Sequence, residues 1–592
     1  MNSNKVKEKS FKILFAFTAA LCIVAVIAIF AFLIIKSVPT FRRIGFFEFI
    51  FGKEWKPNVD DGFTGEIKGK YGVFKMIIGT IVATLGSVIV GGVLGFFTAV
   101  FISKFCPKKL KGAFVTVINL LAGIPSVIFG FFGMVVLLPK LGVFSETGSG
   151  SGLLAVSLVL GLMILPTVVS LSKTSIDAVP DSYYEGARAL GATHEQAVFR
   201  AVVPAAKSGI VASIILGIGR AVGETMAVIM VAGNVVEYPK GLFQSFRVLT
   251  ANIVMEMGYA GDLQLGALIS TGVVLLLFIL IINLLTGLAT SGGKKDKTYK
   301  KRSIEPLAKF FHAIKIEKIG KIVAYVSAVI ASIGLISIIL FVCVNGIPHL
   351  TTQLLFGKYS VRNISIFPAI VTTLMTVGIS LVIAVPIGVF TAIFLNEYSK
   401  KGSKVVRIIR SAIDILAGVP SIVYALFGMV TFVAWFNGRQ SILAGSLTIA
   451  IMLLPTVVRS TEESLKSVSD TLREGSLALG AGKVRTIFKV VLPGALPGIA
   501  SAIILAMGRV VSESAPFVYT MGNCLTTMPK GVMSDGTTLA VALYTLAGEG
   551  QYLNEAYATA FVLLVIVLAL NLPANLITKK LDKKLKGSKN GK

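Results

Sequence analysis

Two Arg–Glu pairs stand inside otherwise apolar sequence. Gly219-Arg220-Ala221-Val222-Gly223-Glu224-Thr225 has a counterpart 289 residues later in Gly508-Arg509-Val510-Val511-Ser512-Glu513-Ser514. Arg220 follows Pro204 by 16 residues, and Arg509 follows Pro493 by the same 16. At about 1.5 Å per helical residue this is roughly 24 Å, which puts both arginines near the middle of a bilayer. Charges there cost at least about 2.5–3.5 kcal/mol each and usually serve function. Arg and Glu four apart share a helix face and can pair, so simple helix stabilisation competes with a functional reading. Two points weigh against it: Arg before Glu is the weaker order within a helix, and a buried pair often gains nothing over apolar side chains. Two guanidinium forks from repeat-related helices define a positive constriction suited to a tetrahedral oxyanion, whose oxygens Arg matches bidentately. Glu224 and Glu513 then orient the arginines and hold them when no anion is present, while Thr225 and Ser514 add hydroxyl donors.

The elements that position these residues follow from composition. The chain has 592 residues, 55% apolar and only 15% charged, well below the roughly 25% charged of soluble domains. This is an all-α polytopic membrane protein. Its net charge of +28 gathers at the ends of apolar runs, at Lys5 to Lys12, Lys104 to Lys111, Lys294 to Lys321, Lys400 to Arg410 and Lys579 to Lys592. That pattern orients helices with their basic ends in the cytoplasm and needs no nucleic acid. Four cysteines lie far apart and three histidines (His194, His312, His349) read as isolated surface residues. No metal or disulfide spacing is present, and no catalytic cluster appears in the spans.

Ile13 to Ile35 is an uncharged run long enough to span, read as an anchor starting in the cytoplasm rather than a signal peptide. Residues 36–75 read as a mixed-charge external segment. Further spans fall at about 76–103, 114–138, 152–173, 205–232 and 263–290. Residues 291–318 read as a basic cytoplasmic linker. The plan then repeats at about 319–344, 366–395, 408–436, 441–459, 494–521 and 557–577, with a basic cytoplasmic tail. Leu165-Pro166-Thr167-Val168-Val169 recurs as Leu454-Pro455-Thr456-Val457-Val458, and Gly123-Ile124-Pro125-Ser126 as Gly418-Val419-Pro420-Ser421. The expected domains are 1–290 and 319–592, two parallel six-helix repeats with about 12 membrane helices in all. Intramembrane prolines read mainly as kinks, with Pro125 and Pro420 also placed to bend helices around a pathway.

Between the fourth and fifth spans of each half lies a polar helical segment, at about 178–204 and 467–493. Glu185, Gly186, Ala187 and Gly191 in the first match Glu474, Gly475, Ser476 and Gly480 in the second, again 289 apart. Small side chains let a partner approach the helix backbone, and the closing Pro204 or Pro493 begins the next helix. This spacing resembles the coupling loop of ABC importer permeases, a cytoplasmic helix seated in a cleft of the ATPase subunit. Gly219 to Val228 with Gly233-Asn234 looks like the first permease subunit of bacterial phosphate importers. Gly508-Arg509, Ser512 to Pro516 and Gly522-Asn523 are similar to the second. The resemblance implies the type I ABC importer permease fold and both permease subunits fused in one chain of a bacterial cell membrane, with both termini cytoplasmic.

No Gly-Lys pair is followed by Ser or Thr, so no phosphate-cradling P-loop is present. The resemblance therefore implies that this transport subunit binds no cofactor, and that ATP and Mg sit on two copies of a separate cytoplasmic ATPase. An external phosphate-binding protein, inorganic phosphate and membrane lipid complete the implied partners, with alternating access as the mechanism. Import of another oxyanion, sulfate or molybdate, stays open because charge alone does not choose. An ATP-independent secondary transporter or anion channel keeps the arginines but leaves the duplicated polar segments without a role.

Overall fold

The computed structural model describes residues 2–57, 69–146, 148–291, 316–360, 363–399, 403–525 and 528–587. Most of the basic linker, Asp60, Asp61, Glu66 and His312 lie outside them. In the first half α1 (Asn2–Ile44) runs through Pro39 well past the apolar stretch, so the opening residues of the expected external segment are helical. A two-residue hairpin follows, β1 (Trp55–Lys56) against antiparallel β2 (Lys70–Tyr71), with Trp55 facing Tyr71. Then come α2 (Phe74–Phe105), α3 (Lys108–Ala122), α4 (Ser126–Gly142) and α5 (Leu153–Asp177). The polar segment forms α6 (Asp181–Ala189) and α7 (His194–Ala205), leading into α8 (Lys207–Gly223) and α9 (Met226–Val231). After a loop, α10 (Leu249–Glu256) and α11 (Asp262–Ser291) close the half.

The second half retraces this path. It runs α12 (Ile316–Gly346), α13 (Phe367–Tyr398), α14 (Lys404–Gly418), α15 (Ser421–Val433) and α16 (Ile442–Lys466). Its polar segment is α17 (Asp470–Ala478), followed by α18 (Lys483–Ser512), α19 (Ala515–Thr520), α20 (Leu539–Glu549) and α21 (Leu553–Gly587). Among the described residues nine helices are long and apolar enough to cross a membrane, or eleven if each of two bent pairs counts as one span. Several runs read as continuous spans are therefore broken. The 408–436 run bends by 98° between α14 and α15 at Pro420, and the 114–138 run divides between α3 and α4 at Pro125. A proline lacks the N–H and restricts the residue before it, so these breaks are local consequences of the sequence.

Two compact units draw on both halves. One comprises Met1–Arg43, Met257–Val273 and Asn345–Lys592; the other comprises Ile44–Glu256 and Val274–Val344. In the first of these, Phe11 of α1 packs on Phe488 at 5.4 Å between centroids and Phe15 on Phe390 at 5.3 Å. In the other, α12 packs Phe341 against Phe132 at 5.5 Å. Each unit is built around one heavily buried helix, α5 or α16. Val156, Ile164, Leu165 and Val168 of α5 and Ile449, Leu453, Val457 and Val458 of α16 have almost no exposed surface. Fully burying such a side chain stabilises by about 1.5–3 kcal/mol where the alternative is water.

Candidate functional site

The fifth span of each half breaks at its Glu. Helix α8 ends at Gly223, and Glu224 turns to extended backbone (φ −73°, ψ 134°) before α9 begins at Met226. Helix α18 ends at Ser512, Glu513 turns the same way (φ −81°, ψ 141°), and α19 begins at Ala515. The two glutamates thus sit just beyond the helices that carry their arginines, which corrects the expectation of one unbroken helix through each pair. The halves then diverge. The Glu224 carboxylate accepts the Ala227 N–H at 3.3 Å, capping one of the free donors of a helix start. The matching residue in the second half is Pro516, which has no N–H to offer. There the Glu513 carboxylate lies 3.8 Å from Arg509 Nε, with both side chains only part-exposed. The Thr225 hydroxyl donates to the Gly223 carbonyl at 3.4 Å, whereas the buried Ser514 hydroxyl has no hydrogen-bond partner among the described residues.

Both arginines reach a neighbouring helix. Arg220 Nη1 donates to Thr167 Oγ1 of α5 at 3.0 Å, and Arg509 Nη1 donates to Thr456 Oγ1 of α16 at 3.2 Å. These threonines belong to the duplicated Leu-Pro-Thr-Val-Val stretch. Its exact repeat flagged the position, but the pairing is 53 residues long in sequence and no local pattern reports it. Gly217 permits the approach on the first side, because a Cβ there would lie 3.2 Å from Val168. The second unit reaches the same fit with fully buried Ala506.

The polar segments are helices with matching ends. In α6 the Ala192 N–H returns to the Ala187 carbonyl at 3.1 Å, and in α17 the Ala481 N–H returns to Ser476 at 3.2 Å. This closure needs a left-handed residue, supplied by Gly191 (φ 86°) and Gly480 (φ 80°). It leaves Leu190 and Leu479 on the outside, 91% and 90% exposed. Nothing lies within 4 Å of a Cβ built on Gly186, Gly191, Gly475 or Gly480. Glu185, Gly186, Ala187, Gly191 and their counterparts Glu474, Gly475, Ser476 and Gly480 are thus brought onto one short, unburied element in each half. The leucines between them, absent from the expected set, were visible only as part of the repeat.

Each polar segment is moored to neighbouring helices by ion pairs and by rings. In the first, Glu195 pairs with Lys321 of α12 at 3.0 Å, and Arg200 pairs with Glu317 of the same helix. The Glu195 carboxyl is held at about 2, against 4.5 ordinarily, first by a backbone N–H at the helix start and then by Lys321. In the second, Arg473 of α17 pairs with Glu397 of α13 at 3.1 Å, Phe488 packs on Phe11, and the Lys483 ammonium stands 4.8 Å from the Tyr398 ring. His194 is not an isolated surface residue: its ring lies between the Tyr184 hydroxyl at 2.8 Å and the Lys104 carbonyl at 3.2 Å. Ahead of Pro204 and Pro493 the helices widen into π-turns, where the Val203 N–H returns to Val198 and the Leu492 N–H to Ile487. A proline that cannot donate at its own position makes such a bulge locally cheap. Next to Pro204 the chain then bends by 69° between α7 and α8.

Beyond the break in the first half lies a buried polar cluster that sequence reading missed. Glu256 accepts Trp55 Nε1 at 2.7 Å and Arg247 Nη1 at 2.6 Å, and Arg247 also reaches Asn252 Oδ1 at 3.0 Å. It ties the β1–β2 hairpin, where the halves differ most, to α10. Among the described residues no group of three or more His, Cys, Asp or Glu is arranged to hold a metal ion.

Comparison with known proteins defines the class. The family model described as the binding-protein-dependent transport system inner membrane component matches residues 91–291 and again 384–587. The chain belongs to that family and carries its domain twice; it is a multi-pass membrane protein and a transport component rather than an enzyme. A phosphate transport system permease protein PstA homolog of Mycoplasma pneumoniae is 28% identical over 581 residues, covering 85% of this chain and 84% of its own. A probable ABC transporter permease protein YqgH of Bacillus subtilis is 38% identical over 276 residues, 45% of this chain and 87% of that relative. The phosphate transport system permease protein PstC of Pasteurella multocida is 31% identical, over 43% of this chain and 85% of its own. The Mycoplasma relative thus follows most of the chain, while the other two match less than half of it.

Proposed function

We propose that this chain is the permease of an ATP-driven ABC importer that moves inorganic phosphate into the cell. The observation that carries this reading is the repeated mid-span break, with one arginine in each unit held by a threonine of the next helix, in a chain whose relatives are phosphate transport permeases. The chain forms two six-span repeats, 1–290 and 319–592, joined by the linker 291–318, with both termini in the cytoplasm of a bacterial cell. Arg220 and Arg509 bind the oxyanion, Glu224 and Glu513 orient and compensate them, and Thr225 and Ser514 supply hydroxyls to the pathway. Two copies of a cytoplasmic ATPase carrying ATP and Mg dock on the segments at Glu185 to Gly191 and Glu474 to Gly480. The open space at their glycines and the exposed Leu190 and Leu479 suit burial in an ATPase cleft. An external phosphate-binding protein delivers the substrate, ATP binding and hydrolysis drive alternating access, and no nucleic acid takes part.

The test is uptake of radiolabelled phosphate into proteoliposomes holding this chain with its ATPase and binding protein. ATP-dependent uptake that sulfate and molybdate do not compete supports the reading. Competition by either oxyanion reassigns the substrate, and ATP-independent flux favours a secondary transporter or channel. Gly186→Trp or Glu185→Lys is expected to release the ATPase on purification; full retention overturns the docking assignment.

A further inference from the structure

Helix threonines in this protein ordinarily donate their hydroxyl back to the carbonyl four residues earlier. Thr80, Thr84, Thr174, Thr271, Thr373, Thr376, Thr448 and Thr559 all do so at 2.6–2.9 Å. Thr167 and Thr456 depart from that habit: each hydroxyl accepts an arginine Nη1–H, and among the described residues neither donates. Both lie part-buried, each one residue past a proline inside a membrane helix (Pro166 and Pro455). The same geometry arises in two units with different packing details, Gly217 in one and Ala506 in the other. Both copies of the duplicated unit thus keep the pairing although the residue packed beside it has changed.

We propose that Thr167 and Thr456 are positioning residues of the substrate pathway, which hold the Arg220 and Arg509 guanidiniums by accepting one N–H while their own O–H stays available to donate to the bound oxyanion. The proposal rests on the assignment of both arginines to that pathway. A hydroxyl has one proton and two lone pairs, so accepting from Arg spends a lone pair and leaves the proton. The arrangement restricts a long, rotamer-rich side chain before the anion arrives, lowering the ordering cost of binding.

The experiment uses the full chain assembled with its ATPase and binding protein in proteoliposomes, and reads radiolabelled phosphate uptake and ATP hydrolysis together. Thr167→Val and Thr456→Val keep the side-chain shape and remove the hydroxyl. Each is expected to lower uptake at saturating loaded binding protein by about tenfold or more, the scale of a hydrogen bond to a charged group. ATP hydrolysis stimulated by the binding protein is expected to persist, so the ratio of phosphate moved to ATP consumed falls. Thr167→Ser and Thr456→Ser keep the hydroxyl and are expected to restore uptake. Serine variants as defective as the valine ones would make the role one of packing and overturn the proposal. Unchanged uptake in both valine variants, with Arg220→Ala and Arg509→Ala inactive, would overturn it while leaving the arginine assignment standing. Persistent uptake in the two arginine variants would remove that assignment and the proposal with it.

Discussion

The two mid-span breaks carry one constellation in two local solutions. In the first half the Glu224 carboxylate is engaged with the Ala227 N–H, so the acid stabilises the start of α9. In the second half Pro516 has removed that donor, and Glu513 stands beside Arg509 instead. The acid thus caps a backbone N–H in one half and stands beside a guanidinium in the other. The moorings of the polar segments differ in detail: residues 194–202 pair ionically with α12 (Glu195–Lys321, Arg200–Glu317), residues 483–491 rest on a ring (Phe488 on Phe11), and α17 itself is held by the Arg473–Glu397 pair. Duplication preserved the Arg, the Glu and their threonine partner, while each copy adjusted the contacts around them.

The comparison is broken most severely at the arginines. Arg220→Ala and Arg509→Ala are each expected to reduce phosphate uptake to background while the ATPase still co-purifies; substantial transport by either would make the halves unequal at the step they share. Next in size is Pro516→Ala, which returns an N–H to the start of α19. Glu513 is then expected to turn to that cap, as Glu224 does, and uptake to fall roughly threefold to thirtyfold, the scale of a helix-cap contact. Ala227→Pro makes the opposite conversion in the first half. If neither exchange alters uptake, the position of the acid is immaterial.

Phe488→Ala removes an aromatic contact worth about 0.5–1.5 kcal/mol beyond its buried area. Faster hydrogen exchange is expected over 483–491 and not over 194–202. The smallest effect belongs to Glu195→Gln, since part-exposed ion pairs contribute about 0.2–1 kcal/mol. Because Glu195 is held below its ordinary value, its contribution is present above about pH 4.5 and is lost as pH falls from there towards 2. Protection of 194–202 is expected to weaken in that window and at high salt, while 483–491, moored by rings, changes less. Equal salt responses would remove the ionic–aromatic contrast.

The sequence by itself determined the membrane class and the duplication, and it marked Arg220 and Arg509 as a repeated pair. Apolar run length, charge position and distance from Pro204 or Pro493 are local quantities that survive any packing. It also carried the polar segments, because Gly191 and Gly480 mark left-handed helix ends wherever they dock. Only the tertiary structure decided that the spans break at Glu224 and Glu513, since a break inside an apolar run leaves its hydropathy unchanged. Only it paired Arg220 with Thr167 and Arg509 with Thr456, which lie 53 residues apart on separate helices. The distribution of α1 and α12 between compact units was likewise illegible in sequence, because an apolar helix face does not name its neighbour. Those choices rest on close packing and on which polar atoms find partners away from water, and both exist only once the helices are assembled.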